Sequence, residues 1–155
     1  GEVLQLSQAH VGYSYRAVVS YVDSHGTREL LVTNPSETVV NVDDPVEGEV
    51  LLAGEASEGK VLTANTARVS DEDGIASMTV GWESSKDGRT WRAIETGSAS
   101  QLRLSQALVG RQVRARLSVV DTFGIETVIF SQATNTVKNV NNKPAGTIFV
   151  KRVGG

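Results

Sequence analysis

Apolar and polar residues alternate along several short runs of this chain, with a period of two. Val113, Ala115, Leu117 and Val119 are separated by Arg114, Arg116 and Ser118. Tyr15, Ala17, Val19 and Tyr21 are spaced in the same way, as are Met78, Val80 and Trp82 around Thr79 and Gly81. Successive side chains of a strand point to opposite faces, so each run predicts a strand with one buried face. Lys86-Asp87-Gly88-Arg89 predicts a tight reversal into a further strand over 90–94, because Gly takes positive φ at little cost. Segments 47–53, 60–65 and 126–137 also read as strands. Ser105 to Gly110 reads instead as one helical turn, begun by a Ser cap and stopped by Gly.

The pattern also repeats. Leu4-Gln5-Leu6-Ser7-Gln8-Ala9 returns as Leu102-Arg103-Leu104-Ser105-Gln106-Ala107, followed in both places by Val and Gly (Val11-Gly12, Val109-Gly110). Arg16-Ala17, Ser20, Val22-Asp23, Gly26, Asn41-Val42 and Gly48 then recur as Arg114-Ala115, Ser118, Val120-Asp121, Gly124, Asn139-Val140 and Gly146. Every pair sits at one offset of about 98 residues, and about 18 of some 45 aligned positions are identical without a gap. Such register marks a tandem array. It divides the chain into the C-terminal half of a preceding repeat (1–42), a complete repeat (43–140) and the first strand of the next (141–155). About seven short strands per repeat, with few helices, predict an all-β fold of immunoglobulin-like antiparallel β-sandwiches in tandem. Trp82, which could stack on a sugar, sits where such a sandwich keeps a core tryptophan. Trp91 and Tyr13 read as packed or partly exposed.

Composition narrows the chemistry. The net charge is −3 and no basic block stands out, so clustered Lys and Arg of the kind that bind nucleic acid are missing. There is no cysteine, which removes disulfides, thiolate nucleophiles and Cys-ligated zinc. No apolar run is long enough for a membrane span, so membrane insertion is not expected. The two histidines, His10 and His25, fall in the half repeat, and their counterparts in the complete repeat are Leu108 and Phe123. Ser84-Ser85 and Ser98-Ala99-Ser100 have no histidine within the repeat to act as base. No Gly-rich phosphate loop is present. Catalysis is not expected of this chain.

Acidic residues carry the one candidate site. Asn41, Asp43 and Asp44 lie where two repeats join, Asp71 and Asp73 follow the second strand of the repeat, and Asp121 precedes a Gly turn. If the first strand leaves the junction and the second returns to it, all three groups fall at one pole of the sandwich. Hard oxygen ligands from three loops suit Ca²⁺, which accepts 6–8 oxygens in loose geometry. Asp and Gly are also the commonest turn formers, so solvated turns remain the other reading. The second junction has Asn139, Asn141 and Asn142 in place of acids and should bind more weakly, if at all. Glu58 points toward the other pole as a further possible ligand.

The Asn-Val junctions, Ala56-Ser57-Glu58-Gly59-Lys60-Val61-Leu62, Asp71-Glu72-Asp73-Gly74, the hairpin from Trp82 to Trp91 and the Leu-Ser-Gln-Ala turn together resemble the repeats of large RTX-type bacterial surface adhesins, which implies cadherin-like or immunoglobulin-like antiparallel β-sandwiches. The linker and the later Asp-x-Asp are similar to inter-repeat calcium motifs of cadherins, mapping onto Asn41, Asp43, Asp44, Asp71 and Asp73. No counterpart of the cadherin Asp-Arg-Glu motif is visible, which puts a full three-calcium site in doubt. The resemblance implies a secreted or cell-surface bacterial protein in which such a repeat is a structural extender, holding ligand-binding domains away from the cell. A ligand-binding module for glycan or protein, and an accessory sandwich on a secreted enzyme, are the alternatives. The expected partners are neighbouring repeats of the same chain. The uncovered strand face of residues 1–42 should be disordered, pair with another chain, or be completed by the trailing segment 146–153, for example in a strand-exchanged homodimer.

Overall fold

The computed structural model describes residues 1–96 and 99–154, so that Ser98, one of the serines considered above, lies outside it. Its described residues form an all-β structure built from antiparallel pairs. Strands β1 (Val18–Val22) and β2 (Arg28–Val32) make a two-stranded hairpin. The complete repeat follows with β3 (Leu51–Ala53), β4 (Val61–Asn65), β5 (Ile75–Ser85), β6 (Arg92–Ile94), β7 (Gln101–Arg103), β8 (Gln112–Asp121) and β9 (Glu126–Phe130). Two sheets result, in the orders β3-β4-β7 and β6-β5-β8-β9.

Alternation along β8 fixes which face is inside. Val113, Ala115, Leu117 and Val119 are fully buried, while the residues between them reach the outer face. They meet Val80 and Trp82 of β5 on their own sheet, and Leu62, Ala64 and Leu102 of the other, in one core. Trp82 is 1% exposed and donates its indole N–H to Ala99 O at 2.9 Å, which satisfies the one polar atom of its ring. Burying a side chain the size of Leu117 contributes about 2 kcal/mol. The reversal at 86–90 is held by Asp87, whose Oδ1 accepts the Arg89 and Thr90 N–H groups and the Ser85 hydroxyl, all within 2.9 Å. Ser85 therefore serves the turn. Ser105 to Gly110 contains a single 3-10 turn, Gln106–Leu108.

Three differences from the sequence reading are physical. Strand β7 is only three residues long, too short to show a period. The segment 47–53 is paired as a strand only over Leu51–Ala53, with an isolated bridge from Glu47 to Ser70. The run 126–137 is a strand only as far as Phe130. Beyond it, Ser131, Thr134 and Val137 donate their N–H groups to Ala115, Val113 and Arg111 carbonyls, three residues on one side against two on the other. The spacing mismatch is bridged by hydroxyls: Ser131 Oγ accepts the Ala115 N–H and Thr134 Oγ1 the Val113 N–H, doing what a backbone carbonyl does in a regular ladder.

The same network recurs 98 residues earlier. Thr33, Ser36 and Val39 donate to Ala17, Tyr15 and Tyr13, and the Thr33 and Ser36 hydroxyls accept from the Ala17 and Tyr15 amides. The pairing register of β1 with β2 is that of β8 with β9, residue for residue: Val18 faces Val32 as Arg116 faces Phe130. Yet Val19 and Tyr21 are 49% and 51% exposed where Leu117 and Val119 are buried. The hairpin is thus ordered with its core face bare. Completion by the trailing segment does not occur within the chain: residues 141–154 form no strand, and Ile148, Phe149, Val150 and Val153 stay exposed. No helix among the described residues is long and apolar enough to cross a membrane.

Candidate metal centre

Topology brings the acidic loops together at one pole. Strand β5 begins beside the end of β8, because Ile75 pairs with Asp121. The 71–74 loop and the 121–124 turn are therefore neighbours, and they are bonded to each other. The Thr122 N–H donates to Gly74 O at 3.1 Å, and the Thr122 hydroxyl donates to Asp73 O. Gly74 has φ of +82°, and a Cβ there would lie 2.9 Å from Thr122 Cγ2, so glycine permits this close approach.

On this base, one carboxylate oxygen each from Asp43, Asp73 and Asp121 lies within 4.8 Å of the others. Asp73 and Asp121 are 4% and 3% exposed, whereas Asp43 reaches in from the exposed linker. Asp121 Oδ1 accepts the Phe123 and Ile125 N–H groups at 2.8 Å, which orients its carboxylate. Asp73 Oδ2 accepts the Asp44 N–H at 2.8 Å, fastening the linker to the loop. Its Oδ1 is buried with no hydrogen-bond partner. A buried, unpaired carboxylate oxygen costs free energy unless a donor or a cation meets it. The Asp43 carboxyl is held above its ordinary value, first by loss of solvent around it and then by repulsion from Asp121, Asp73, Asp71 and Asp44.

The remaining expected ligands take other places. Asp44 contributes its backbone N–H, and Asp71 Oδ1 accepts the Asp73 N–H at 2.9 Å, shaping the loop. Neither supplies an oxygen to the trio, although both carboxylates bear on Asp43. Asn41 turns to the preceding repeat, where its Oδ1 accepts from Gln8 Nε2 at 2.9 Å. At the opposite pole Glu58 accepts the Val140 N–H and the Asn142 amide, at 3.1 and 3.3 Å, and both of its oxygens thereby face N–H donors. Both of its oxygens are met by donors, whereas at Asp73 only Oδ2 is. Thr122 was missed by sequence reasoning. The signal was available: a hydroxyl follows the aspartate in both copies, Ser24 after Asp23 and Thr122 after Asp121.

His10 bonds through Nδ1 to the Ser7 amide and hydroxyl, and its ring lies edge-on to Tyr15. Trp91 stacks under the Arg114 guanidinium at 4.2 Å, and Phe130 under the same group at 3.9 Å. Glu83 pairs with that guanidinium at 2.7 Å.

No family model matches the chain, and no curated protein matches it. Among solved structures, a β-1,2-glucanase from Parabacteroides distasonis is similar over 77% of this chain, with 15% identity and a TM-score of 0.39. The chain covers 17% of that protein's length.

Proposed function

We propose that this chain is a length of stalk from an extracellular bacterial adhesin, in which immunoglobulin-like sandwiches repeat in tandem and a calcium ion stiffens the junction at Asp43, Asp73 and Asp121. The observation that carries the reading is the placement of that carboxylate trio. Two members sit on the body of one repeat, and the third comes from the linker to its predecessor. A cation shared among them ties linker to body, which is the property a spacer needs. The donor set is all hard oxygen, which suits calcium, and the partnerless Asp73 Oδ1 is an atom such an ion would satisfy.

The strand orders β3-β4-β7 and β6-β5-β8-β9 support an immunoglobulin-like assignment, with the long central strands of the second sheet packing on the shorter first sheet. The recurrence of one hydrogen-bond network 98 residues apart supports tandem organisation, with neighbouring repeats as the natural partners. Strand β5, 11 residues long, would give each unit a length of about 36 Å at the usual rise. Thermal unfolding of the chain in calcium and in chelator tests the proposal. A melting temperature raised by millimolar calcium is expected, and identical curves would remove the metal from it.

A further inference from the structure

At the pole opposite the acidic trio, beside the 86–90 reversal, cationic side chains gather. Strand β5 ends there beside the start of β8, since Ser85 pairs with Gln112. Between the 86–90 reversal and the first residues of β6 and β8 lies a hollow of about 350 Å³, lined by Ser84, Lys86, Asp87, Thr90, Arg92 and Arg111. Three cationic side chains thus border one small space. None of them enters an ion pair or a side-chain hydrogen bond with the described residues, whose two ion pairs are Arg68 with Glu49 and Arg114 with Glu83.

The one carboxylate in the hollow offsets only one of the three charges. Asp87 Oδ1 is already engaged by two backbone N–H groups and the Ser85 hydroxyl, so it faces its own turn. The local balance remains two positive charges in excess. The acidic pole is too distant to compensate: it sits at the far end of the same strand pair, beyond the roughly 8 Å over which solvent-exposed charges act at physiological salt. Three like charges gathered in a concave space against a single carboxylate favour a bound anion, and two guanidinium forks match the planar or tetrahedral oxygens of an oxyanion. Ser84 and Thr90 also line the hollow. The volume lies at the small end of the range for ligand pockets.

We propose that this hollow binds a single oxyanion group, sulfate, phosphate or carboxylate, carried on a ligand of about the size of one acidic sugar. The net charge of −3 gives no extended basic surface for a polyanion, which favours one small anion over a nucleic acid or a lipid surface. The position is specific to this copy in one respect: Arg111 is replaced by Tyr13 in the preceding repeat. The site is separate from the junction trio and stands or falls without it.

Titration of the full chain with sodium sulfate, sodium phosphate and glucuronate, each at ionic strength matched with sodium chloride, tests the site by amide NMR shifts. Saturable shifts at Thr90 and Arg111, half complete below about 10 mM for at least one of the three anions, are expected. The anion that saturates identifies which oxyanion is preferred. Arg111→Gln should weaken binding by about tenfold, and Lys151→Gln, in the exposed tail, should leave it unchanged. An unchanged melting curve for Arg111→Gln separates lost binding from lost folding. Shifts that chloride reproduces, no saturation with any of the three anions, or equal weakening by the two substitutions would overturn the proposal.

Discussion

Replacing Asp73 by Asn separates electrostatic strain from cation binding at the junction. Asp73 and Asp121 are both almost fully buried, with carboxylate oxygens within 4.8 Å. Two like charges at that distance repel by about 3.5 kcal/mol at an effective dielectric of about 20. The substituted amide keeps an oxygen for the Asp44 N–H, losing about 1 kcal/mol as a charged acceptor becomes neutral. Its nitrogen takes the place of the partnerless Oδ1. Without cation, Asp73→Asn should therefore be more stable than the parent by about 2 kcal/mol, or on the order of 10 °C in melting temperature. On the proposed calcium binding, the parent should gain about 2.7 kcal/mol at one hundred times its dissociation constant, whereas the variant should gain almost nothing. Scanning calorimetry in chelator and in calcium should accordingly show two proteins melting well apart in chelator and close together in calcium. A variant that melts below its parent in chelator and keeps the full calcium increment would refute the reasoning at both steps.

The other predictions concern the turn, the core and the bare faces. Hydrogen bonds from the Thr90 and Arg89 amides and the Ser85 hydroxyl depress the Asp87 carboxyl from its ordinary 3.8 to about 2, so its stabilising effect is complete above pH 3.8 and lost as pH falls through about 2. Asp87→Asn should melt lower than the parent at pH 5, with the gap closing by pH 2; melting scans across that window decide it. Leu117→Ala should cost about 2–5 kcal/mol in denaturant unfolding, since Leu117 is fully buried. The equivalent change Val19→Ala, on the bare hairpin, should cost less than about 1 kcal/mol if the face is uncovered in solution. A comparable cost at both sites would mean that a second chain covers the hairpin. Strand exchange through the apolar tail would be its source: light scattering should then give a dimer for the full chain and a monomer for residues 1–142. A monomer in both, across concentrations, would dismiss the exchanged pair.

Much of this architecture was legible because burial leaves a period in the chain. Strand β8 alternates without interruption, and its inward residues are those the alternation names. The polar placement of the acidic loops followed from strand order, but strand order did not separate Asp43, Asp73 and Asp121 from Asn41, Asp44 and Asp71. What was not legible depends on atoms rather than patterns. Whether Asp44 offers a carboxylate or an N–H, and whether Asn41 turns toward one repeat or the other, is set by single hydrogen bonds that leave no period. Strand β7 has too few residues to register, and beyond Phe130 the ladder changes to a three-residue spacing that no period of two reveals. The basic hollow escaped notice because Arg111 lies well along the chain from Lys86 and Arg92 and the chain as a whole is acidic.

The hydroxyl-bridged segment beyond Phe130 has a consequence for a chain in which the same network occurs twice. Like units held on one chain are at high local concentration, and an open sheet edge invites edge-to-edge growth. Here the outer strand breaks its two-residue rhythm after five residues and continues at a spacing of three, held inward by Ser131 and Thr134. An incoming strand cannot match that spacing with its own amides and carbonyls. The same pair of hydroxyls, Thr33 and Ser36, guards the other copy. Substituting either pair with valine should leave the core intact and turn a well-behaved repeat into a seed for aggregation.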